Sequence, residues 1–278
     1  MKSQKDKAVE FKSLHERPGC FVIPNPWESG TAKLLANLGF EALATTSAGF
    51  AFSLGRPDCK RYLSREEVLN NAKEILTVTD LPVSADLENG YSDKPQGVYE
   101  MIILAGQTGL VGASIEDATG IDGDPIYEID LAVERIRAAV EAKNTFDFPF
   151  MLTARAENFI HGRLDLKDTI RRLQAFQEAG ADVLYAPSLR SREDITAVVH
   201  SVDKPVNVMI GASLSLRELA EIGVKRISLG STLARAAIGE FLRAAGEIKN
   251  NGTYSFVDSA TPYSQLNEIF TRTDTNGF

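Results

Sequence analysis

The sequence predicts a TIM (β/α)8 barrel, and three observations carry that expectation. Eight short β-rich runs recur along the 278 residues. Amphipathic stretches with apolar residues at helical spacing lie between them, such as Val98-Met101-Ile102-Ala105 and Leu131-Ile136-Val140. Polar residues gather at one end of each strand–helix unit, while the opposite ends carry ordinary turn chemistry such as Asp80-Leu-Pro82 and Asp203-Lys-Pro205. Alternation with short connections implies parallel strands joined by right-handed crossovers, and eight strands close a barrel. A doubly wound open sheet is the alternative, but it needs fewer strands or a second domain. No linker, low-complexity tract or compositional break marks one, so 1–278 is read as a single domain with the barrel over about 18–250 and a tail over 251–278.

The elements follow in order. A helix from Lys5 to about His15 precedes the first strand and is expected to lid the bottom of the barrel. Strands are expected at 20–24, 42–46, 82–87, 112–116, 150–154, 182–186, 206–210 and 226–229. Helix stops are signalled by Gly39, Gly180 and Gly223, each just before a strand. Ser64-Arg-Glu-Glu67 fits a capping box opening the second helix of the repeat, and Asp165-Leu-Lys-Asp168 opens the fifth. From Asn250 onward the pattern is less regular, and this tail is expected to pack on a neighbouring subunit.

Composition narrows the function. The chain is 44% hydrophobic and 24% charged, as in an ordinary globular protein, and can bury a large core. A net charge of −8, with no offsetting Lys/Arg stripe, argues against nucleic-acid binding. Cys20 and Cys59 make no disulfide framework, the N-terminus is polar, and no run of about 18 apolar residues could span a bilayer. A cytoplasmic location without membrane contact is expected.

Barrel active sites lie at the C-terminal ends of the strands. Those ends present Asn25 and Trp27; Thr46, Ser47 and Gly49; Asp86 and Glu88; Glu116 and Asp117; Arg155 and Glu157; Ser188; Gly211 and Ser213; Gly230 and Ser231. Strand alternation puts Asp86 and Glu88 on one side. With Glu116 they form a set of carboxylates that repel unless a cation lies between them, and a hard divalent ion such as Mg2+ suits oxygen donors. They are expected to converge on one ion, with Arg155 opposite, its planar fork suited to a carboxylate or phosphate. A salt bridge from Arg155 to Glu88 or Glu116 is the structural alternative, and a helix-cap or loop charge is the alternative for Asp117.

Absences exclude other chemistries. No lysine ends a strand, which argues against a Schiff-base aldolase. His15, His161 and His200 do not end strands, which removes the usual zinc-hydrolase ligands; His161 falls in the loop after strand five, where a solvated side chain is expected and reach to the substrate is the alternative. No Gly-x-x-x-x-Gly-Lys-Ser/Thr loop occurs, and Gly211-Ala-Ser213 with Gly230-Ser231 is only a weak phosphate-cradle signal. Cys59 beside Asp58 has nothing nearby to lower its pKa and is not read as a nucleophile.

Taken together, Pro24-Asn25-Pro-Trp27, Thr45-Thr-Ser-Ala-Gly49, Gly55-Arg-Pro-Asp58, Asp86-Leu-Glu-Asn-Gly90, Ile115-Glu-Asp117 and Thr153-Ala-Arg155 resemble the isocitrate lyase/phosphoenolpyruvate mutase superfamily from about Phe11 to Ile248. The resemblance implies a TIM barrel whose C-terminal helix is exchanged between subunits, commonly as a tetrameric dimer of dimers. It implies Mg2+, with Mn2+ as the substitute, held by Asp86, Glu88 and Glu116 largely through water, with Asp58 supporting the site. It also implies that Ser47, Ala48 and Gly49 hold a substrate carboxylate while Arg155 binds a second oxygen. Asp58 and Arg155 are thus the catalytic candidates, and Trp27, Ser188 and Asn207 complete the expected substrate contacts. The implied chemistry is that of a metal-stabilised enolate of a small 2-oxo acid.

The chain departs from the pattern after strand four. A Lys-Lys-Cys-Gly-His segment is replaced by Thr119-Gly-Ile-Asp-Gly-Asp-Pro-Ile-Tyr127, which argues against isocitrate or 2-methylisocitrate cleavage. The asparagine-rich gating loop of the phosphonate mutases is missing too, and Pro187-Ser188 stands where they carry a histidine. Asp122, Asp124 and Tyr127 are candidate proton donors, with a hinge-like turn as the alternative. The expected reaction is C–C cleavage or decarboxylation of a 2-oxo acid or dicarboxylate. The alternatives are phosphoenolpyruvate or phosphonopyruvate mutase or hydrolase chemistry, and a catalytically weak 2-oxo acid binding protein.

Overall fold

In the computed structural model, which describes residues 2–58, 62–211 and 214–271, eight strands form one parallel sheet. They are β1 (Phe21–Ile23), β2 (Leu43–Ala44), β3 (Val83–Asp86), β4 (Gly112–Glu116), β5 (Met151–Arg155), β6 (Val183–Tyr185), β7 (Val206–Met209) and β8 (Arg226–Ser228). The helices between and around them are α1 (Gln4–Glu16), α2 (Ser29–Asn37), α3 (Ser47–Ser53), α4 (Arg65–Thr77), α5 (Pro95–Thr108), α6 (Ile129–Lys143), α7 (Leu166–Glu178), α8 (Arg192–His200), α9 (Leu216–Ile222), α10 (Thr232–Asn251) and α11 (Tyr263–Thr271).

Each strand pairs with its sequence neighbour from β2 to β8, and β8 returns to β1. Among the described residues only the β1–β2 seam lacks a full ladder, and local bonds bridge it. Ala44 N donates to Pro24 O at 3.0 Å. The Asn25 amide donates to Thr45 O at 2.9 Å and accepts from Leu229 N and Gly230 N, both at 2.9 Å. This nearly closed (β/α)8 barrel is the predicted architecture.

Apolar residues facing inward from the helices and outward from the strands form the main core, including Leu43, Ile75, Leu87, Met101, Ile102, Ile115, Leu152, Phe176 and Leu184. A second cluster of Ala8, Phe11, Leu14, Phe21, Ile23 and Val111 seals the bottom under α1. Gly112 is required at that seal, because a Cβ there would meet Met151 O at 2.7 Å and the Phe11 ring at 2.9 Å. The helix signals also hold. Ser64 and Glu67 make both capping-box bonds, Asp165 caps α7 from the Asp168 N–H, and Gly39, Gly180 and Gly223 all take positive φ. The tail forms a 3-10 turn at Ser255–Ser259 and then α11, which lies against α2 and is tied by Lys33 Nζ to Phe270 O at 2.7 Å.

Candidate active site

The C-terminal ends of the strands open into a cavity of about 200 Å3 that runs from the mouth into the barrel. Ser47, Ala48, Asp58, Asp86 and Arg155 line its upper part, whereas Ser84, Asn207, Arg226 and Ser228 line its depth. A second cavity adjoins it on the other side of Ser47, Asp58 and Arg155, walled by Glu88, Glu116, Glu157 and His161.

Arg155 organises the mouth. It ends β5 and spreads its fork over three carboxylates: Nη1 to Asp86 Oδ1 at 2.8 Å, Nη2 to Glu116 Oε2 at 2.9 Å, and Nε to Glu157 Oε1 at 2.9 Å. Burial alone pulls the guanidinium pKa down, but Glu116, Glu157 and Asp86 more than offset it and hold it well above the ordinary arginine value. The sequence reading set Arg155 opposite the acids; the structure sets it among them, making the ion pair to Glu116 named as its structural alternative. The Tyr185 ring stands 5.4 Å from the guanidinium and adds a flat wall.

Asp86 is fixed from every side. Its Oδ2 accepts from Ser47 N at 3.2 Å and Ser47 Oγ at 3.0 Å, Ser114 Oγ reaches Oδ1 at 3.4 Å, and its own N–H donates to Thr45 Oγ1 at 2.9 Å. Glu88 reaches the site by a different route from the one its spacing suggested. β3 ends at Asp86, Leu87 is fully buried, and Glu88 takes a left-handed φ of 47°. A turn, not strand alternation, therefore aims it, and local strain of this kind concentrates at functional sites. Burial, then the charges of Asp86 and Asp58, push the Glu88 carboxyl up to about 7, against the pull of Arg155. Burial likewise raises Glu116 well above the ordinary carboxylate range, with Arg155 opposing and Glu157, Asp86 and Glu88 adding to it.

The excess of acid over base is the main electrostatic fact of the mouth. Asp58, Asp86, Glu88, Glu116 and Glu157 surround one guanidinium. Among the described residues, no three His, Cys, Asp or Glu side chains converge tightly enough to grip an ion directly. The donors are nonetheless hard oxygens in a negatively charged recess, which fits a divalent ion that keeps most of its waters.

The other expected residues divide. Ser47 and Ala48 line the cavity at the first turn of α3, a positive helix end. Gly49 lies behind them: its N–H donates to the Thr46 cap at 3.2 Å, and a Cβ would strike Thr46, Trp27 and Ala234. Trp27 packs on that glycine and does not line either cavity. Ser188, at φ 69°, lines a neighbouring recess with Arg190 and Gly211. Asn207 lines the deep end, but its amide is committed to Ser228 and Arg226. Cys59 and Ser213 lie outside the described residues.

Asp117 points away from Glu116 into a buried network instead of serving as a helix-cap or loop charge. Arg172 Nη1 bonds it at 3.0 Å, Glu157 N donates to it at 2.8 Å, and burial still pushes its carboxyl up to about 7. The Thr119–Tyr127 segment closes as a small hairpin through the Ala118–Ile126 bridge, leaving Asp122 and Asp124 exposed at its tip. Tyr127 is buried and donates to Asp93 Oδ1 at 2.6 Å, so it stiffens this loop from below. Sequence reading missed Arg235, on the first turn of α10, and Arg226, at the start of β8; both line the main cavity. The available signal was an arginine beside the Gly230-Ser231 loop and a charge opening an otherwise apolar strand.

A parallel eight-stranded barrel with an arginine-centred cluster of carboxylates at its C-terminal mouth has the build of a barrel enzyme. Comparison with known proteins gives the family. The chain matches the phosphoenolpyruvate phosphomutase family over residues 11–249 and belongs to it, within the isocitrate lyase/phosphoenolpyruvate mutase superfamily of lyases and mutases. It superposes on the crystal structure of a candidate lyase/mutase from Burkholderia cenocepacia J2315 with a TM-score of 0.95 and 54% identity, covering 98% of each chain. It is 28% identical to the Probable 2-methylisocitrate lyase 1 of Corynebacterium glutamicum, covering 96% of this chain and 90% of that protein. It is 27% identical to an oxaloacetate decarboxylase of Chromohalobacter salexigens, covering 96% and 94%.

Proposed function

We propose that this protein is a Mg2+-dependent lyase that cleaves a C–C bond of, or decarboxylates, a small oxaloacetate-like 2-oxo acid. The observation that carries the reading is the mouth itself: one guanidinium pinned by three carboxylates, beside further buried acid that it cannot neutralise. Asp86, Glu88 and Glu116, supported by Asp58, are the residues that would hold the metal through its waters, and Mn2+ would serve in its place. Bound there, the ion would supply Lewis-acid stabilisation of negative charge developing on substrate oxygens.

The chain's own groups supply orientation. Asp86, Glu116 and Glu157 hold the Arg155 fork rigid, so its charge is presented without reorganisation. Ser47 and Ala48 line the cavity at the start of α3, where a substrate carboxylate would sit beside Arg155. Arg235 adds a further cation at the rim. Ile160 and the loop bearing it border both cavities and would limit water at the reacting carbon.

The relatives named as a 2-methylisocitrate lyase and an oxaloacetate decarboxylase support this bond class. The hairpin that stands in place of the lyase cysteine segment favours decarboxylation or a simpler cleavage. The reading includes a cytoplasmic homo-oligomer, a dimer of dimers with the C-terminal helix exchanged. A panel of 2-oxo acids assayed with Mg2+, Mn2+ and excess chelator tests it. Turnover of at least one 2-oxo diacid that chelation abolishes and Mg2+ restores is expected. Release or migration of phosphorus in 31P NMR with phosphonopyruvate would instead assign P–C chemistry, and tight binding without turnover of any acid would leave a binding protein.

A further inference from the structure

Arg226 poses a problem that the mouth does not solve. It opens β8 and points into the barrel, and only 5% of it is exposed. A guanidinium offers five N–H donors. Nε donates to Asn207 Oδ1 at 2.8 Å and Nη2 to Thr153 Oγ1 at 2.9 Å. Nη1 has no partner, so three of the five N–H groups lack an acceptor. Both acceptors are neutral, and among the described residues no carboxylate pairs with it. Burial lowers its pKa to about 10, which still leaves it charged at neutral pH.

An unpaired charge at this depth is costly unless an opposite charge joins it. Arg226 lines the same cavity that opens at Arg155 and Ser47. Small side chains make the room around it: Ala44, Ser84, Ser114 and Ser228 stand where barrel interiors more often carry bulky branched residues. Its Thr153 partner lies two residues below Arg155 on β5. Along a strand that is about 6.7 Å, one inward-facing layer beneath the mouth. Asn207 and Thr153 hold the fork in place, which accounts for an asparagine committed to an arginine instead of to substrate.

We propose that Arg226 forms the floor of a second anion seat, which takes a carboxylate-sized monoanion one layer below the Arg155 clamp. The occupant is either the far carboxylate of the substrate or a free small anion; the shared chemistry is a planar or spherical monoanion recognised by guanidinium and hydroxyl donors. In the first case the seat sets specificity for a diacid, and that part rests on the 2-oxo acid reading above. The seat itself does not.

The test starts with binding, without metal and without turnover. Wild type, Arg226→Gln, Arg226→Lys and Arg155→Gln are compared in chloride-free buffer by thermal shift and calorimetry with formate as probe, and wild-type crystals are soaked in bromide. The expected result is formate binding in wild type that survives Arg155→Gln, weakens at least tenfold in Arg226→Gln and recovers partly in Arg226→Lys, with bromide density at the guanidinium. Equal formate affinity in wild type and Arg226→Gln, or a soaked crystal with no anion within contact of Arg226, would overturn the seat. The wild-type crystal keeps the question open to refutation even if a variant does not fold.

Kinetics then separate the occupants. Formate that competes with a 2-oxo diacid, together with a KM raised tenfold or more for the diacid but not for a 2-oxo monoacid in Arg226→Gln, assigns the seat to substrate. Formate that binds without competing assigns it to a free anion. Formate binding with no turnover of any 2-oxo acid would sink the lyase reading and leave the seat standing.

Discussion

At the scale of single residues, Arg155 does what a point charge could not. Its three contacts go to Asp86, Glu116 and Glu157 in one plane, and a lysine ammonium could satisfy at most part of that fork. Arg155→Lys is therefore expected to lower kcat/KM on the metal-dependent substrate by roughly 10²–10³-fold while the fold is retained. Steady-state kinetics with circular dichroism check it; unchanged kcat/KM would show that the fork serves only the fold. His15 makes a different prediction, about pH. Its ring sits edge-on to Phe11 and Phe21, with centroids 4.8 and 5.0 Å away, and Nδ1 donates to Phe11 O at 2.8 Å. Burial, with Arg226 adding repulsion, lowers its pKa from 6.5 to about 3. The unfolded chain thus binds a proton near pH 6.5 that the folded chain refuses until about pH 3. The contribution of a neutral His15 is complete above pH 6.5 and is lost as pH falls from 6.5 through 3, on the order of 5 kcal/mol in all. His15→Leu keeps the apolar contact and removes the titration. Its stability should fall less steeply than that of wild type between pH 6.5 and 4 in urea melts, and parallel profiles would refute the assignment.

At the scale of elements, the strands, helix caps and glycine stops were legible because each has a local cause. Ser64 and Glu67 sit three apart and satisfy each other's backbone, whatever the rest of the chain does. What was not legible needed the third dimension. Spacing put Glu88 on the same strand face as Asp86, but Gly90 and Tyr91 follow it with positive φ, so the chain had already left the strand. α3 was missed because Ser47-Ala-Gly-Phe-Ala-Phe-Ser53 is short and contains a glycine, and only the Thr46 cap announces it. Arg226 could be read only as the first residue of a strand, since its partners Asn207 and Thr153 come from β7 and β5. The Asp117–Arg172 pair is the same kind of long-range fact, and it joins the end of β4 to α7. Arg172 also reaches Tyr127 O at 2.8 Å and Asp168 Oδ2 at 2.9 Å, so one side chain anchors the hairpin, the strand end and the helix start. Arg172→Met would leave Asp117 buried and uncompensated, at a cost of about 3–5 kcal/mol. The double variant Asp117→Asn/Arg172→Met should recover part of that loss in urea unfolding. A single variant within about 1 kcal/mol of wild type would show the network to be idle.

At the scale of the whole molecule, one helix leaves most of its apolar surface uncovered by its own chain. α10 is 20 residues long, starts at the cavity with Thr232 and Arg235, and buries only Ala234 fully. Along its length Ile238, Phe241, Leu242 and Ile248 face solvent, with Phe241 70% and Leu242 63% exposed, and Tyr254, Val257 and Tyr263 continue the apolar surface into the tail. Monomeric proteins rarely leave a contiguous apolar surface of this kind uncovered. The last strand–helix unit of a barrel also needs a helix against the sheet, and α10 touches its own chain mainly through α3. A second copy of the chain, bringing its own α10, is the occupant that the resemblance anticipates. Because α10 begins at the cavity rim, such an assembly would join the interface to the active site: a subunit without its partner would carry Arg235 on an unsupported helix. Phe241→Glu combined with Leu242→Glu is therefore expected to reduce the mass seen by light scattering from a multiple of 30.3 kDa to that of one chain. Turnover should fall at least tenfold in the same variant, while the urea midpoint of the barrel changes little. A wild-type protein that scatters as a single chain at micromolar concentration, or a double variant that stays assembled, would show that this face is covered by something other than another copy.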